Sequence, residues 1–206
     1  MIAGASAAAW GREESRLRWW QHVVAAVGVE TPEMRRKRRH VQRCAAGTEG
    51  ERRTAELLLP LAGEGWHILH DRALPTGKAN VDHLLISPAG ALLVLDSKMW
   101  RRDWPVRLEG GRLMRGPRDE TGDAVKAEAI AGRAAAALGL SMRPTCLLVV
   151  HNAPVAEGGF HVGDVGVLPA DRLLELLRHN AVGQRNPREA RRLAERAEVR
   201  LPPKVT

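Results

Sequence analysis

Val81-Asp-His-Leu-Leu-Ile-Ser-Pro-Ala-Gly-Ala-Leu-Leu-Val-Leu-Asp-Ser-Lys98 is the stretch that decides the fold. Two apolar runs flank Ser87-Pro88-Ala89-Gly90. Pro88 suits the second position of a type I turn and Ala89 the third, with Gly90 as the left-handed residue that closes a three-residue loop. Loop length sets the register. With Ser87 opposite Ala91, equal counts along the two strands bring Asp82 opposite Asp96. Directly opposite side chains share a face, their Cβ atoms about 4.5–5.5 Å apart. Lys98, two residues past Asp96, points to that face roughly 6–7 Å along the strand. Two carboxylates and an ammonium thus converge on a hairpin of Leu, Ile and Val. Burying them is costly unless they are paired or hold a metal. The group is either a structural ion pair, with Lys98 bridging both acids, or a chemical site.

Upstream, Thr48–Leu61 reads as a helix capped by Gly47 or Thr48, with Ala55, Leu58, Leu59 and Ala62 as its apolar stripe. Glu51 precedes Ala55 by four and Leu58 by seven, which places it on that stripe, facing the acids. A Glu in a first turn can also simply satisfy the helix dipole. Read together, Glu51, Asp82, Asp96 and Lys98 form a hard, oxygen-lined site suited to Mg²⁺ or Mn²⁺ and not to zinc or haem. The other strand-like runs are Trp66–Leu74, a weak hairpin of Val106–Glu109 with Arg112–Arg115, Thr145–His151 as a strand buried on both faces, and Val165–Leu168. Asp123–Leu138 reads as an Ala-rich helix, and Pro169–His179 and Pro187–Glu198 as closing helices, the last charged and on the surface. His83 alternates away from Asp82 and reads as a core or hydrogen-bonded histidine. His151, at a strand end, is either near the site or exposed.

The 206 residues, 44% hydrophobic and 27% charged, support one domain with a sizeable core and a terminal appendage. The net charge of +8 is mostly arginine: of 32 basic residues only five are Lys. Guanidinium groups suit phosphate, although an Arg-rich composition alone does not establish a nucleic-acid partner. Residues 1–46 hold nine Lys or Arg against four Glu, with the charge gathered in Arg35, Arg36, Lys37, Arg38 and Arg39. Before this run, Leu17, Trp20, Val24 and Val27 recur at helical spacing and offer a surface for a protein partner or a second copy of the chain. Cys44 and Cys146 belong to no C-x-x-C pattern, so neither a disulfide scaffold nor a zinc knuckle organises the fold. No apolar run approaches a membrane span, and the expectation is a soluble, cytoplasmic protein without a membrane partner.

Gly47-x-x-Gly50-Glu51, Asn80-Val81-Asp82-His83 and Asp96-Ser97-Lys98, in this order, resemble the nuclease-related domain (NERD) family, which is grouped with the PD-(D/E)XK nucleases. The resemblance runs from about Gly47 to Leu177. It implies a restriction-endonuclease-like α/β fold, a mixed sheet flanked by helices, with N- and C-terminal helical additions. It divides the chain into a basic extension (1–46), a nuclease-like domain (47–180) and a charged C-terminal helix and tail (181–206). It also implies a metal-dependent nuclease hydrolysing phosphodiester bonds, with DNA ahead of RNA as substrate. Asp82 and Asp96 would hold Mg²⁺ or Mn²⁺ with the Ser97 carbonyl. Glu51 would complete the shell or orient water, and Lys98 would position the attacking water. Lys78, Arg101, Arg102 and the run Arg35–Arg39 are candidate nucleic-acid contacts, and Trp100 and Trp104 are either stacking platforms or the rim of the core. The chain departs from the family in carrying Asp96 where Glu is commoner. It also has no Tyr, and Asp123–Glu128 lacks a clear Gln. The alternative from another class is an inactive nuclease-like module that binds nucleic acid or recruits a partner.

Overall fold

The computed structural model describes residues 32–180 and 185–204, with the side chains of 33–35, 37–46 and 180 outside that description. Its elements are α1 (Pro32–Ala62), β1 (His67–Ala73), β2 (Asn80–Ile86), β3 (Leu92–Met99), β4 (Val106–Glu109), β5 (Arg112–Arg115), β6 (Arg118–Asp119), α2 (Thr121–Ala137), β7 (Thr145–His151), β8 (Phe160–Val162), β9 (Val165–Pro169), α3 (Leu173–Asn180) and α4 (Pro187–Arg200). The chain divides into two compact units, Met1–Ala45 and Ala46–Thr206. The second unit is built on a six-stranded mixed sheet in the order β1-β2-β3-β7-β9-β8, with β4-β5-β6 as a small separate sheet. The amphipathic spacing of Leu17 to Val27 lies outside the described residues. So do the side chains of Arg35, Lys37, Arg38 and Arg39; Arg36 is described and exposed.

The β2–β3 hairpin has the expected register. Leu85 pairs Leu93 and Ile86 pairs Leu92, Gly90 N–H donates to the Ser87 carbonyl at 2.8 Å, and Ser87 N–H donates to Ala91 at 2.9 Å. Gly90 sits at φ +84°, the left-handed conformation the loop requires. β3 then pairs parallel with β7, and β7 with β9. That arrangement buries both faces of the centre of the sheet, which explains the uninterrupted apolar run Cys146–Val150.

The two faces carry different helices. The even-numbered residues Leu84, Ile86 and Val94 pack with Ala124, Ala127, Ala131 and Ala134 of α2, and with Ala190, Leu193 and Ala197 of α4. Alanine lets α2 lie close to the sheet. The odd-numbered residues Leu85, Leu93 and Leu95 pack with Leu58 and Leu61 of α1, and with Leu173 and Leu177 of α3.

Three expectations need correction and a fourth needs extension. The helix expected to begin at a Gly47 or Thr48 cap begins at Pro32, so those residues lie inside α1. Pro32 suits a first helical position and no proline interrupts the chain until Pro60. The inward stripe of α1 is Gly50, Thr54, Leu58 and Leu61 instead of Glu51, Ala55, Leu58, Leu59 and Ala62. α4 lies at the surface, as expected, but also closes the core: Ala190, Leu193, Ala194 and Ala197 are buried, while its charged residues and Val199 face water. Residues 169–179 open with a 3₁₀ turn at Ala170–Arg172 before α3 begins.

Gly50 marks where α1 approaches β3, since a Cβ there would stand 3.5 Å from Met99 Cβ and N. That is ordinary contact. Gly50→Ala is therefore expected to hold or raise the melting temperature, through a helix-propensity gain of up to ~1 kcal/mol. Gly50→Leu should lose about 1–3 kcal/mol by overpacking against β3. Urea unfolding of both variants checks the order; a Leu variant as stable as the Ala variant would contradict this packing.

Candidate functional site

The hairpin register, carried one residue past the His83–Leu95 pair, sets Asp82 against Asp96 on the α2 face of the sheet. Ser97 N–H donates to Asp82 Oδ2 at 3.2 Å. Within a strand the N–H and C=O of one residue point to the same side, so the Ser97 carbonyl also turns toward β2, beyond the last ladder pair. Lys98 Nζ lies 3.0 Å from Asp96 Oδ1 and 3.6 Å from Asp123 Oδ2. Asp123 stands in the first turn of α2, where the helix dipole favours an acid.

The electrostatics are those of acids crowded out of water. Burial, then the charges of Asp96 and Glu51, push the Asp82 carboxyl up to about 7. Burial also raises Asp96, although the Lys98 ammonium beside it pulls the other way. Lys98 itself is raised: burial opposes its charge, and Asp96 and Asp123 outweigh that. Glu51 is raised by burial, then by Asp71 and Asp96, against the fields of Lys204 and Lys98.

Glu51 does not approach the acids across their own face, as its helical spacing suggested. Its helix lies on the opposite face, among Leu85, Leu93 and Leu95, while Asp82, Asp96 and Lys98 lie toward α2. Glu51 is half-buried, and its charge still reaches Asp96 and Lys98.

Beneath Ser97 runs a chain of polar groups, buried at His83, Ser97, Thr54 and His151 and reaching the surface at His70. His70 Nδ1 and His83 Nδ1 are 2.7 Å apart, His83 Nε2 is 3.2 Å from Ser97 Oγ, Ser97 Oγ donates to Thr54 Oγ1 at 2.8 Å, and Thr54 Oγ1 is 2.8 Å from His151 Nε2. One assignment of hydrogens satisfies every link: His70 donates to His83, His83 to Ser97, Ser97 to Thr54, and Thr54 to His151. It requires neutral imidazoles at His83 and His151, each of which accepts a hydrogen bond at one ring nitrogen. Burial lowers His70 and His151, and it brings His83 down to about 3, with His70 and His151 adding to the effect. His83 thus points away from Asp82 and braces the strand from behind. His151 is buried, not exposed.

Of the candidate nucleic-acid contacts, Lys78, Arg101 and Arg102 are all exposed. Arg101 pairs with Asp103 at 3.1 Å and lies over the Trp104 ring. Trp100 is buried in the core, and Arg115 stacks on it. Arg101, Arg115 and Arg118 all lie over Trp104. Cys146 is buried and free.

The structure adds residues that the sequence did not single out. Asp71 falls opposite Asp82 in the β1–β2 register, between the His70–His83 and Arg72–Val81 pairs. It sits at φ +47°, a left-handed conformation uncommon for any residue but glycine, in which Asn and Asp are over-represented. Asn80 Nδ2 donates to its Oδ1 at 2.7 Å. The position of Asn80 two residues before Asp82, on the same face, was the available signal; Asp71 left none. Asp123 was legible only as an acid in a helix's first turn.

Residues 46–127 match the family model of the nuclease-related domain. Glu51, Asp82, Asp96, Lys98 and Asp123 all lie inside this NERD segment, whereas β7 to α4, which complete the sheet and its cover, lie beyond it. No curated protein and no solved structure matches the chain.

Whether the site suits a divalent ion rests on its donors. Among the described residues no three His, Cys, Asp or Glu side chains are gathered as for a protein-enclosed metal. Two carboxylates and a main-chain carbonyl are all oxygen, and Mg²⁺ characteristically takes one or two carboxylates and keeps several waters. The donor set fits such an open site.

The raised Asp82 carboxyl has a consequence for stability. A carboxyl near 7 in the fold and about 4 when unfolded supports the fold below pH 4 and loses that support as pH rises through 7. Asp82→Asn keeps an oxygen for the Ser97 N–H and discards the charge. Without added metal it should raise the melting temperature at pH 8 by several degrees, and by less at pH 5. An equal gain at both pH values would mean that Asp82 is not forced toward neutrality.

Proposed function

We propose that the protein is a Mg²⁺- or Mn²⁺-dependent nuclease that hydrolyses phosphodiester bonds, with DNA as its substrate, and that it works in the cytoplasm. The observation that carries this reading is the placement of Asp82, Asp96 and Lys98 on one face of a register-locked hairpin within a nuclease-related domain. Asp82, Asp96 and the Ser97 carbonyl would hold the ion, with Glu51 nearby as a further acid. The ion, when bound, supplies polarisation of the phosphate and a lowered pKa for water. The chain's own contribution is positional. Asp96 and Asp123 hold the Lys98 ammonium from two sides, so its charge stands where negative charge grows on the phosphate. The Thr54–Ser97–His83 bonds fix the strand that carries all three groups. Exposed Lys78, Arg101, Arg102 and Arg36 supply cations for the sugar–phosphate backbone, together with the rest of the Arg35–Arg39 run. No helix among the described residues is long and apolar enough to cross a membrane.

A second reading draws on one observation. Lys98 pairs with both Asp96 and Asp123, so much of the site's charge is balanced internally, as in a module that binds without cutting. Two variants separate the readings. Asp96→Asn and Lys98→Ala should each lower Mn²⁺-dependent cleavage of a plasmid and oligonucleotide panel at least ~100-fold. Asp96→Asn should also weaken Mn²⁺ binding in calorimetry, while DNA binding in EDTA persists or tightens. Wild-type protein that binds DNA but neither takes up Mn²⁺ nor cuts any substrate supports the binding module instead.

A further inference from the structure

After α4 the chain returns to the open edge of the six-stranded sheet. β1 is the terminal strand, and residues 201–204 run along it. The buried Arg72 donates from Nε to the Leu201 carbonyl at 2.6 Å. Ala73 N–H donates to Pro202 at 2.8 Å, Arg72 and Pro203 form an antiparallel bridge, and Lys204 N–H donates to the Asp71 carbonyl at 2.9 Å. The strap therefore reaches the one residue of β1 held in a left-handed conformation, opposite Asp82.

There the Lys204 side chain turns onto the site. Its Nζ donates to Asn80 Oδ1 at 3.2 Å, and the same amide donates to Asp71. Asn80 and Asp82 are alternate residues of β2, so they share the face that carries Asp96 and Lys98. The acids of this face are thus bracketed by two ammonium groups: Lys98 on Asp96, and Lys204 linked to Asp71 through Asn80. Main-chain bonds already hold the strap, and of the three donors of the ammonium one meets the Asn80 amide among the described residues, with the Glu51 carboxyl within reach of its charge. Lys204 is exposed to an arriving ligand.

We propose that Lys204 is a substrate-positioning residue of the candidate site, its ammonium anchoring a backbone phosphate neighbouring the one at Asp82 and Asp96. The proposal rests on the nuclease reading for its substrate. It makes the C-terminal strap, far outside the family-matched segment, a working part of the site.

The test uses the full chain with Lys204→Ala and Lys204→Arg. Affinity for a fluorescent DNA oligonucleotide is read in EDTA across a salt series, beside Mn²⁺-dependent cleavage and thermal melting. Lys204→Ala should weaken DNA binding about 5- to 10-fold and reduce the salt slope by about one. It should raise KM by a similar factor, with kcat within about twofold and melting unchanged, and Lys204→Arg should restore binding. Unchanged affinity, slope and KM in Lys204→Ala would overturn the proposal while leaving a wild-type nuclease intact. A fall in melting temperature with kcat and KM both disturbed, not rescued by Arg, would overturn it in favour of a structural strap. Wild-type protein that neither binds nor cuts nucleic acid would remove both the nuclease reading and this proposal. The binding arm needs no metal, so it decides the point even if the wild type does not cut.

Discussion

The polar end of this sheet depends on the parity of one loop. Two hydrogen bonds, Gly90 N–H to the Ser87 carbonyl and Ser87 N–H to the Ala91 carbonyl, close the loop of Pro88, Ala89 and Gly90 and align β2 and β3 so that residue numbers across the pair sum to a constant. Side chains alternate with a period of two, so one residue more or fewer in that loop would send either Asp82 or Asp96 to the opposite face. Apolar packing enforces the same choice. Leu85, Leu93 and Leu95 must meet α1, and Leu84, Ile86 and Val94 must meet the alanines of α2. A slipped register would bury the acids among leucines, so the core that stabilises the fold also guards the geometry of the site.

Such a concentration of carboxylates is not a source of stability. Asp82 and Asp96 are both driven toward their neutral forms by burial, and the ion pair to Lys98 offsets that for Asp96 only in part. A buried pair of this kind contributes little net stability after desolvation. The fold tolerates it because the rest of the same face is densely apolar and the sheet is covered on both sides. Strain adds to the same corner: Asp71 is held left-handed by neighbours on both sides, Asn80 on its carboxylate and Lys204 on its carbonyl. Conformations of this kind persist where the surroundings over-determine them, and they cluster at functional sites.

Local chemistry made much of this readable in advance. The Pro-Ala-Gly loop, the alternation in β2 and β3 and the continuous apolar run of β7 each follow from a few adjacent residues, and so did the facing acids. What was not legible depends on contacts distant in sequence. Whether Gly47 caps a helix or sits within one is decided by the preceding residues and by Gly50 resting against Met99. Glu51 appeared to share the acids' face because spacing along a helix says nothing of which side of the sheet the helix covers. The core-closing side of α4 was hidden because its charges outnumber its apolar residues, yet Ala190, Leu193, Ala194 and Ala197 suffice for one buried stripe. Lys204 is separated from Asn80 by more than half the chain, and no local pattern joins them.

β3 performs two tasks because its two faces are chemically unlike. Even-numbered Asp96 and Lys98 present charge toward α2, while odd-numbered Ser97 is tied behind the sheet to His83 and Thr54. The tie works only if it adds no charge of its own. A protonated imidazole at His83 would turn Nδ1 from acceptor to donor and force His70 to accept in its place. It would also set a cation across the strand from Lys98. The depression of His83 to about 3 keeps the brace neutral through the whole range in which Asp82 changes charge. His83 and Asp82 therefore titrate in separate pH ranges, so Asp82 can gain or lose a proton without charging the imidazole bonded to Ser97.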